Sequence, residues 1–438
     1  MNGIRSVEKM WYERYNFCKG YHQLAKWTKG EEKVQVTRKY LIAACTVVGL
    51  GLILLASNIQ VNSGKSLLMH PQKQLGEMSF DVPIGTTRFL HQTDVQFSYP
   101  KEGVRGIYVS GPSAGGTRFS SMVELVENTG LNAMVIDVKD DFGHVTYQPD
   151  EHSPFYDIAK PYIKDPKKLM KVLEEKEIYP IARIVVFKDT VLAEKRPDLS
   201  FKDGKDVWAN SRGEAFVNPF LEEVWRYNIA IAEEAAKMGF REIQFDYVRF
   251  PEGFEHRDEQ LKYDTGKYGE GDDSHVQRRV TAVTDFVAYA REALSAYNVD
   301  VSVDIFGYAA TVVDTPGIGQ NFLRIAENVD IISAMIYPSH WTAHFGLDKP
   351  DLYPYELTDA YAKVETALLN QLKENKPTSR PWIQDFTASY LGEGNYIPYG
   401  VKEVEAQIKA LYDNDIEEFL LWNAGNNYTT GVHYDNPK

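Results

Sequence analysis

The chain is poor in cysteine, with two among 438 residues, Cys18 and Cys45. Nothing beyond residue 45 can form a disulfide, offer a thiol nucleophile or hold a metal through sulfur. Positive charge is also scarce. Forty-eight Lys and Arg face 62 Asp and Glu, a net of −14. Phosphate binding needs a basic face, so no nucleic-acid partner is expected. A phosphate-cradling glycine loop is missing: SGPSAGG at 110–116 lacks dinucleotide spacing and reads as a tight turn. No Ser-His arrangement stands out. His340 and His344 are four apart, but on a Pro-flanked segment that reads as loop or substrate contact. Neither a metal nor an organic cofactor is expected.

A long uncharged run does occur at 40–59, YLIAACTVVGLGLILLASNI, long enough to cross a bilayer. Nine Lys/Arg and four Glu precede it, and only Lys65 and Lys73 follow it up to residue 75. The positive-inside rule predicts a single-pass anchor in the cell membrane, with a cytoplasmic N-terminus and an extracellular C-terminal part. No A-x-A cleavage site follows the run. The expected layout is a basic cytoplasmic segment (1–39), a transmembrane helix (40–59), a stalk and lead-in (60–101) and one large domain (102–438). Removing the nine basic and four acidic residues leaves 39 and 58, a net of −19. Such a domain favours neutral or cationic ligands.

From about residue 102 the pattern becomes regular. Eight β-rich runs appear: VRGIYVSG (104–111), NAMVIDVKD (132–140), YPIARIVVF (179–187), EIQFDYVRF (242–250), VDVSVDIFGY (299–308), DIISAMIYP (330–338), PWIQDFTA (381–388) and EFLLWNAG (418–425). Stretches of helical period lie between them, with Gly130 and Gly239 as stop signals. Eight βα units predict a (β/α)8 TIM barrel, with a doubly wound open sheet as the alternative. Helix-to-strand links are short. Strand-to-helix links are long after strands 2, 3, 4 and 6, which concentrates loops on the face where barrel enzymes build their sites.

Strand parity predicts what points inward. Asp137 and Lys139, Arg183, Asp246, Asp304 and Tyr337 fall on the polar parity of strands 2 to 6. Buried charge is expensive, so this cluster is either a compensated ion network, with Arg183 pairing Asp137 or Asp246, or a catalytic site. Carboxylates with aromatic platforms are the machinery of glycoside hydrolysis. Asp246 is the expected nucleophile or transition-state stabiliser, Asp304 the general acid/base and Arg183 the counter-ion of Asp246. Asp137, Lys139, Arg249, Tyr337, Trp341, Asp385 and Trp422 are expected substrate contacts, with Trp341 the leading platform. A carboxyl separation of about 5–5.5 Å would mean retention and about 6.5–9.5 Å inversion. Two other readings remain open. One is a non-catalytic glycan-binding or scaffold barrel; the other is an enzyme using Lys139 as a Schiff-base amine.

RGIYVSGPSAGG, MVIDVKDDFGHVTY, YPIARIVVFKDTVLAEKRPDL, GFREIQFDYVRFPEG and VSVDIFGY resemble the putative glycosyl hydrolase domain family over about residues 102–425. The resemblance implies a TIM-barrel, glycoside-hydrolase-like domain, common in bacterial envelope proteins, with a polysaccharide or oligosaccharide partner. FDYVRFP also resembles the strand-4 region of alpha-amylase-like barrels. There an aspartate at the position of Asp246 is the nucleophile and a strand-5 carboxylate, usually Glu, is the acid/base. This chain has the shorter Asp304.

Overall fold

The computed structural model describes residues 93–435. The expected transmembrane run at 40–59 lies outside the described residues, as do the segments on either side of it up to residue 92. Among the described residues no helix is long and apolar enough to cross a membrane.

Eight parallel strands close on themselves: β1 Arg105–Val109, β2 Ala133–Lys139, β3 Tyr179–Val185, β4 Glu242–Asp246, β5 Asp300–Phe306, β6 Ile331–Met335, β7 Trp382–Gln384 and β8 Phe419–Trp422. Each pairs with the next, and β8 returns to β1 through Arg105↔Phe419. Seven helices connect them in turn: α1 Arg118–Glu127, α2 Pro166–Glu175, α3 Glu222–Met238, α4 His275–Leu294, α5 Phe322–Ala326, α6 Pro354–Leu369 and α7 Val401–Tyr412. This is the TIM barrel that the βα alternation predicts.

The eighth position differs. After β8 the chain runs as a tail that buries Val432 and Tyr434 and ends beside the start of β1, where Arg105 Nη1 meets Asp435 Oδ1 at 2.7 Å. Among the described residues this tail stands where an eighth helix would pack.

Local chemistry sets the element ends. Asp165 accepts from the Lys168 amide and Pro166 opens α2, a favourable cap followed by a preset φ. Ser274 caps α4 in the same way. Gly239 ends α3 at φ +110, and a Cβ there would lie 2.3 Å from Val95 Cγ2. Only glycine suits both constraints.

Two apolar layers result. The odd positions of β4, such as Phe245, meet helix residues such as Phe286 at 5.5 Å between ring centroids. The other parity fills the barrel with Ala133, Val135, Ile181, Trp382 and Leu420. The barrel floor is sealed by charge. Arg380 Nη1 donates to Glu242 Oε1 and Oε2 at 2.8 and 2.7 Å, Nε to Glu418 Oε2 at 2.7 Å, and Nη2 to the Tyr99 hydroxyl at 2.9 Å. Tyr99, from the segment leading into the barrel, in turn donates to Glu418 Oε1 at 2.6 Å.

Candidate active site

At the opposite pole, the C-terminal ends of β2 to β5 bring four charged groups together. Register places Arg183 beside Asp137 and beside Gln244, so Arg183 sits between β2 and β4. Its Nη1 donates to Asp137 Oδ1 at 2.6 Å. Its Nε and Nη2 donate to Asp246 Oδ2 at 3.1 and 2.7 Å. The backbone N–H of Tyr247 donates to Asp246 Oδ1 at 2.5 Å. Tyr247 reaches back because its φ is +54, a left-handed conformation unfavourable for a bulky side chain. The strand thus ends at Asp246. Tyr247 turns across the mouth, with its ring under Lys188 Nζ (4.3 Å) and the Arg249 guanidinium (4.6 Å).

Asp304 lies on the adjacent strand. Phe245 pairs with Val303, so Asp246 and Asp304 are the next neighbours in that register. Adjacent strands lie about 4.8 Å apart. Asp304 is buried, and its Oδ1 accepts from the Trp382 indole at 2.7 Å. Burial, and then the charge of Asp246, push the Asp304 carboxyl well above the usual carboxylate range, against the pull of Trp382 and Arg183. Asp137 is raised to about 6, chiefly by burial, with Arg183 opposing. Its Oδ2 accepts from the Tyr108 hydroxyl at 2.6 Å.

The facing half of the barrel is aromatic. Tyr108 of β1 stacks on Trp422 of β8 at 4.3 Å, and the Arg183 guanidinium lies 5.5 and 5.6 Å from these two rings. Trp382 meets Trp422 edge-on at 5.6 Å, and Tyr337 lies 6.3 Å from it. Asp137, Arg183, Asp246, Asp304, Tyr337 and Trp422 therefore cluster at one end of the barrel, and all but Trp422 are buried there.

Four expected contacts stand elsewhere. Lys139 was expected to share a face with Asp137. A bulge intervenes, with Asp137 opposite Arg183 but Lys139 opposite Ile184. The extra residue turns Lys139 outward. Its Nζ lies 2.6 Å from Asp189 Oδ2 and 2.9 Å from Asn228 Oδ1 of α3, behind the barrel wall. Burial lowers the Lys139 ammonium and raises the Asp189 carboxyl. Trp341 is no platform in the mouth. It is buried in the outer core, 6.0 Å from Tyr361 of α6. Arg249 is buried rather than solvent-facing, stacked on Tyr247 and Phe306 and paired with Glu252 at 2.9 Å. Asp385 turns to the C-terminal tail and accepts from the Thr429 amide and hydroxyl at 3.0 and 2.5 Å.

Sequence reasoning missed Tyr108, Asp141, Lys188 and Trp382. Asp141 follows the bulge and faces Lys188 Nζ at 2.9 Å and Arg183 Nη2 at 3.5 Å. Lys188 also reaches Glu214 at 3.3 Å. Applying parity to strands 1 and 7 would have found Tyr108 and Trp382. The bulge hides Asp141 from such counting. Among the described residues no cluster of three or more His, Cys, Asp or Glu suits a metal ion.

Residues 106–428 match the family described as putative glycosyl hydrolase domain. A search of curated proteins finds no match to this sequence. Among solved structures, the glycoside hydrolase domain of PgaB (BpsB) from Bordetella bronchiseptica aligns at 14% identity over 73% of this chain and 94% of that one, with TM-score 0.52. It shares the barrel fold. A hypothetical protein from Ruminiclostridium thermocellum aligns at 33% identity over 45% of this chain and 96% of that one, with TM-score 0.38. The catalytic domain of a beta-amylase from Paenibacillus polymyxa aligns at 12% identity over 75% and 96%, with TM-score 0.46.

Proposed function

Since the chain belongs to the putative glycosyl hydrolase domain family, we propose that it is a glycoside hydrolase held at the outer face of a cell membrane by residues 40–59, cleaving envelope or extracellular polysaccharide. The observation that carries this reading is the contrast between two neighbouring carboxyls. Asp246 is bonded to a guanidinium. Asp304 has no such partner, and burial and then the charge of Asp246 push its carboxyl above the usual range. A carboxyl held above its usual range is suited to act as an acid, and the guanidinium-bonded neighbour is placed to act as the nucleophile or stabiliser.

In this reading Asp304 protonates the leaving glycosidic oxygen. Asp246 attacks the anomeric carbon or stabilises the positive charge that develops there. The cation of Arg183 keeps Asp246 in register between β3 and β5, and Trp382 holds Asp304 through its indole N–H. Trp422, which is only partly buried, offers ring surface to a sugar, backed by Tyr108 and Tyr337.

One observation favours the non-catalytic alternative: both Asp246 oxygens are already bonded. The deciding experiment incubates the full chain with envelope and exopolysaccharide glycans and measures new reducing ends. Cleavage abolished by Asp246→Asn and by Asp304→Asn supports hydrolysis. Glycan binding without cleavage assigns the barrel to recognition alone.

A further inference from the structure

Eight large apolar side chains are exposed among the described residues, and seven of them stand on connections that leave the C-terminal ends of strands. The eighth, Tyr99, lies at the floor. Monomeric surfaces scatter single apolar residues, so this one-sided distribution calls for a cause.

Two of the seven adjoin the carboxylates. Phe142 follows Asp141 and is 58% exposed. It is held on a rigid turn: Asp140 Oδ1 accepts from the amides of Phe142, Gly143 and His144 at 2.9, 3.1 and 2.9 Å. Gly143 has φ +102 and rests against Asp189, where a Cβ would come within 2.0 Å of Oδ1. Tyr308, 41% exposed, lies four residues beyond Asp304. Its ring is 5.8 Å from Phe306 at 31°, and Phe306 itself lies 4.8 Å from the Arg249 guanidinium. Val313 on the same connection is 82% exposed. Both rings are exposed, the one on a backbone turn held by Asp140 and the other packed on Phe306. Preorganised aromatic surface of this kind binds with little loss of side-chain freedom.

The rings leave β2 and β5, three strand intervals apart, or roughly 14 Å around the rim. The strands between them carry Arg183 and Asp246. We propose that Phe142 and Tyr308 are the two ends of a surface cleft that seats an uncharged or amine-bearing polysaccharide across the mouth, so that chain extends on both sides of Asp246 and cleavage is internal. This rests on the glycosidase reading of the carboxylate cluster. The occupant is a glycan chain because the connections that carry the rings begin at the strands of Asp137 and Asp304, and a neutral or cationic one because the chain beyond residue 39 holds 58 acidic against 39 basic residues, even with Lys160 Nζ 6.0 Å from the Phe142 ring. A polyanion would be repelled there.

The test is affinity electrophoresis of the full chain, kept in non-ionic detergent, through gels holding hydroxyethyl cellulose, glycol chitin, glycol chitosan or polygalacturonate. Retardation by at least one neutral or cationic polymer and none by polygalacturonate is expected. The Phe142→Ala/Tyr308→Ala variant, with an unchanged melting temperature, should lose at least tenfold in affinity. Where the wild type cuts the polymer, early products should be long fragments rather than mono- or disaccharides. Retardation that the double variant leaves unchanged overturns the cleft, even if cleavage confirms the hydrolase. Variant-sensitive retardation without any cleavage keeps the cleft and removes the hydrolase. No retardation, or a variant-sensitive dimer in sedimentation without it, overturns the proposal.

Discussion

Two buried arginines stand at opposite poles of the same barrel, and their company differs. At the floor, Arg380 meets Glu242 and Glu418, and Tyr99 closes the ring by bonding both Arg380 and Glu418. Glu242 and Glu418 share the one guanidinium. At the mouth, Arg183 meets Asp137, Asp246 and Asp141. Beside them Asp304 is buried with an indole N–H as its donor and no cation of its own. A closed network is what a fold needs to bury charge. A leftover carboxyl adjacent to such a network costs stability.

The sharpest way to break this contrast is to remove charge from each pole. Asp246→Asn should lower glycan cleavage on the order of 10⁴-fold, read from initial rates, because the anion facing the reaction centre is gone. Arg380→Met should leave activity per folded molecule intact but cost about 3–5 kcal/mol of stability, because two buried carboxylates lose their partner. Urea unfolding measures this, and a loss below 1 kcal/mol would mean that the floor is not a structural network.

Asp304→Asn sharpens the comparison with the opposite sign. A carboxyl whose folded pKa lies above its unfolded value binds more protons when folded. Stability therefore falls as pH rises from the unfolded pKa, about 3.9, through the raised folded value. Asp304→Asn should flatten that decline and raise stability at pH 7 by about 1–2 kcal/mol, while cleavage falls 10²–10⁴-fold. Asp137, raised to about 6, adds its own decline between about pH 4 and 6, which this variant retains. A variant less stable than wild type at pH 7 would place Asp304 in the structural class with Glu242. The smallest effect is expected at Lys139. Borohydride trapping with a carbonyl sugar should label nothing there, since the amine sits behind the wall against Asp189. A labelled Lys139 would revive the Schiff-base reading.

The barrel was legible in the sequence because its signals are local. Eight β-rich runs, helical periods and uneven loop lengths each follow from short stretches of chain, and Asp137, Arg183, Asp246 and Asp304 follow from parity alone. Parity fails where the strand stops being regular. The bulge after Asp137 sends Lys139 to the helix layer and frees Asp141 for the mouth. The left-handed Tyr247 ends β4 at Asp246, four residues short of the expected run, so Arg249 stacks sideways instead of continuing the strand. Trp341 failed for another reason: whether an aromatic ring faces solvent or a helix depends on α6, many residues away. Contacts between distant segments, such as Asp385 with Thr429, leave no periodic trace.

The chain enters at the pole opposite the mouth. Val95 packs by Gly239, Gln96 bonds Glu174 of α2 and Tyr99 meets Arg380 beneath the floor. The molecule therefore has a stem end and a working end. Residues 95–99 therefore grip the barrel at its base, away from the mouth. Tension on such a stem would load Tyr99 and the floor network first. The groups at the mouth, a full barrel height away, would keep their alignment while the base took the strain.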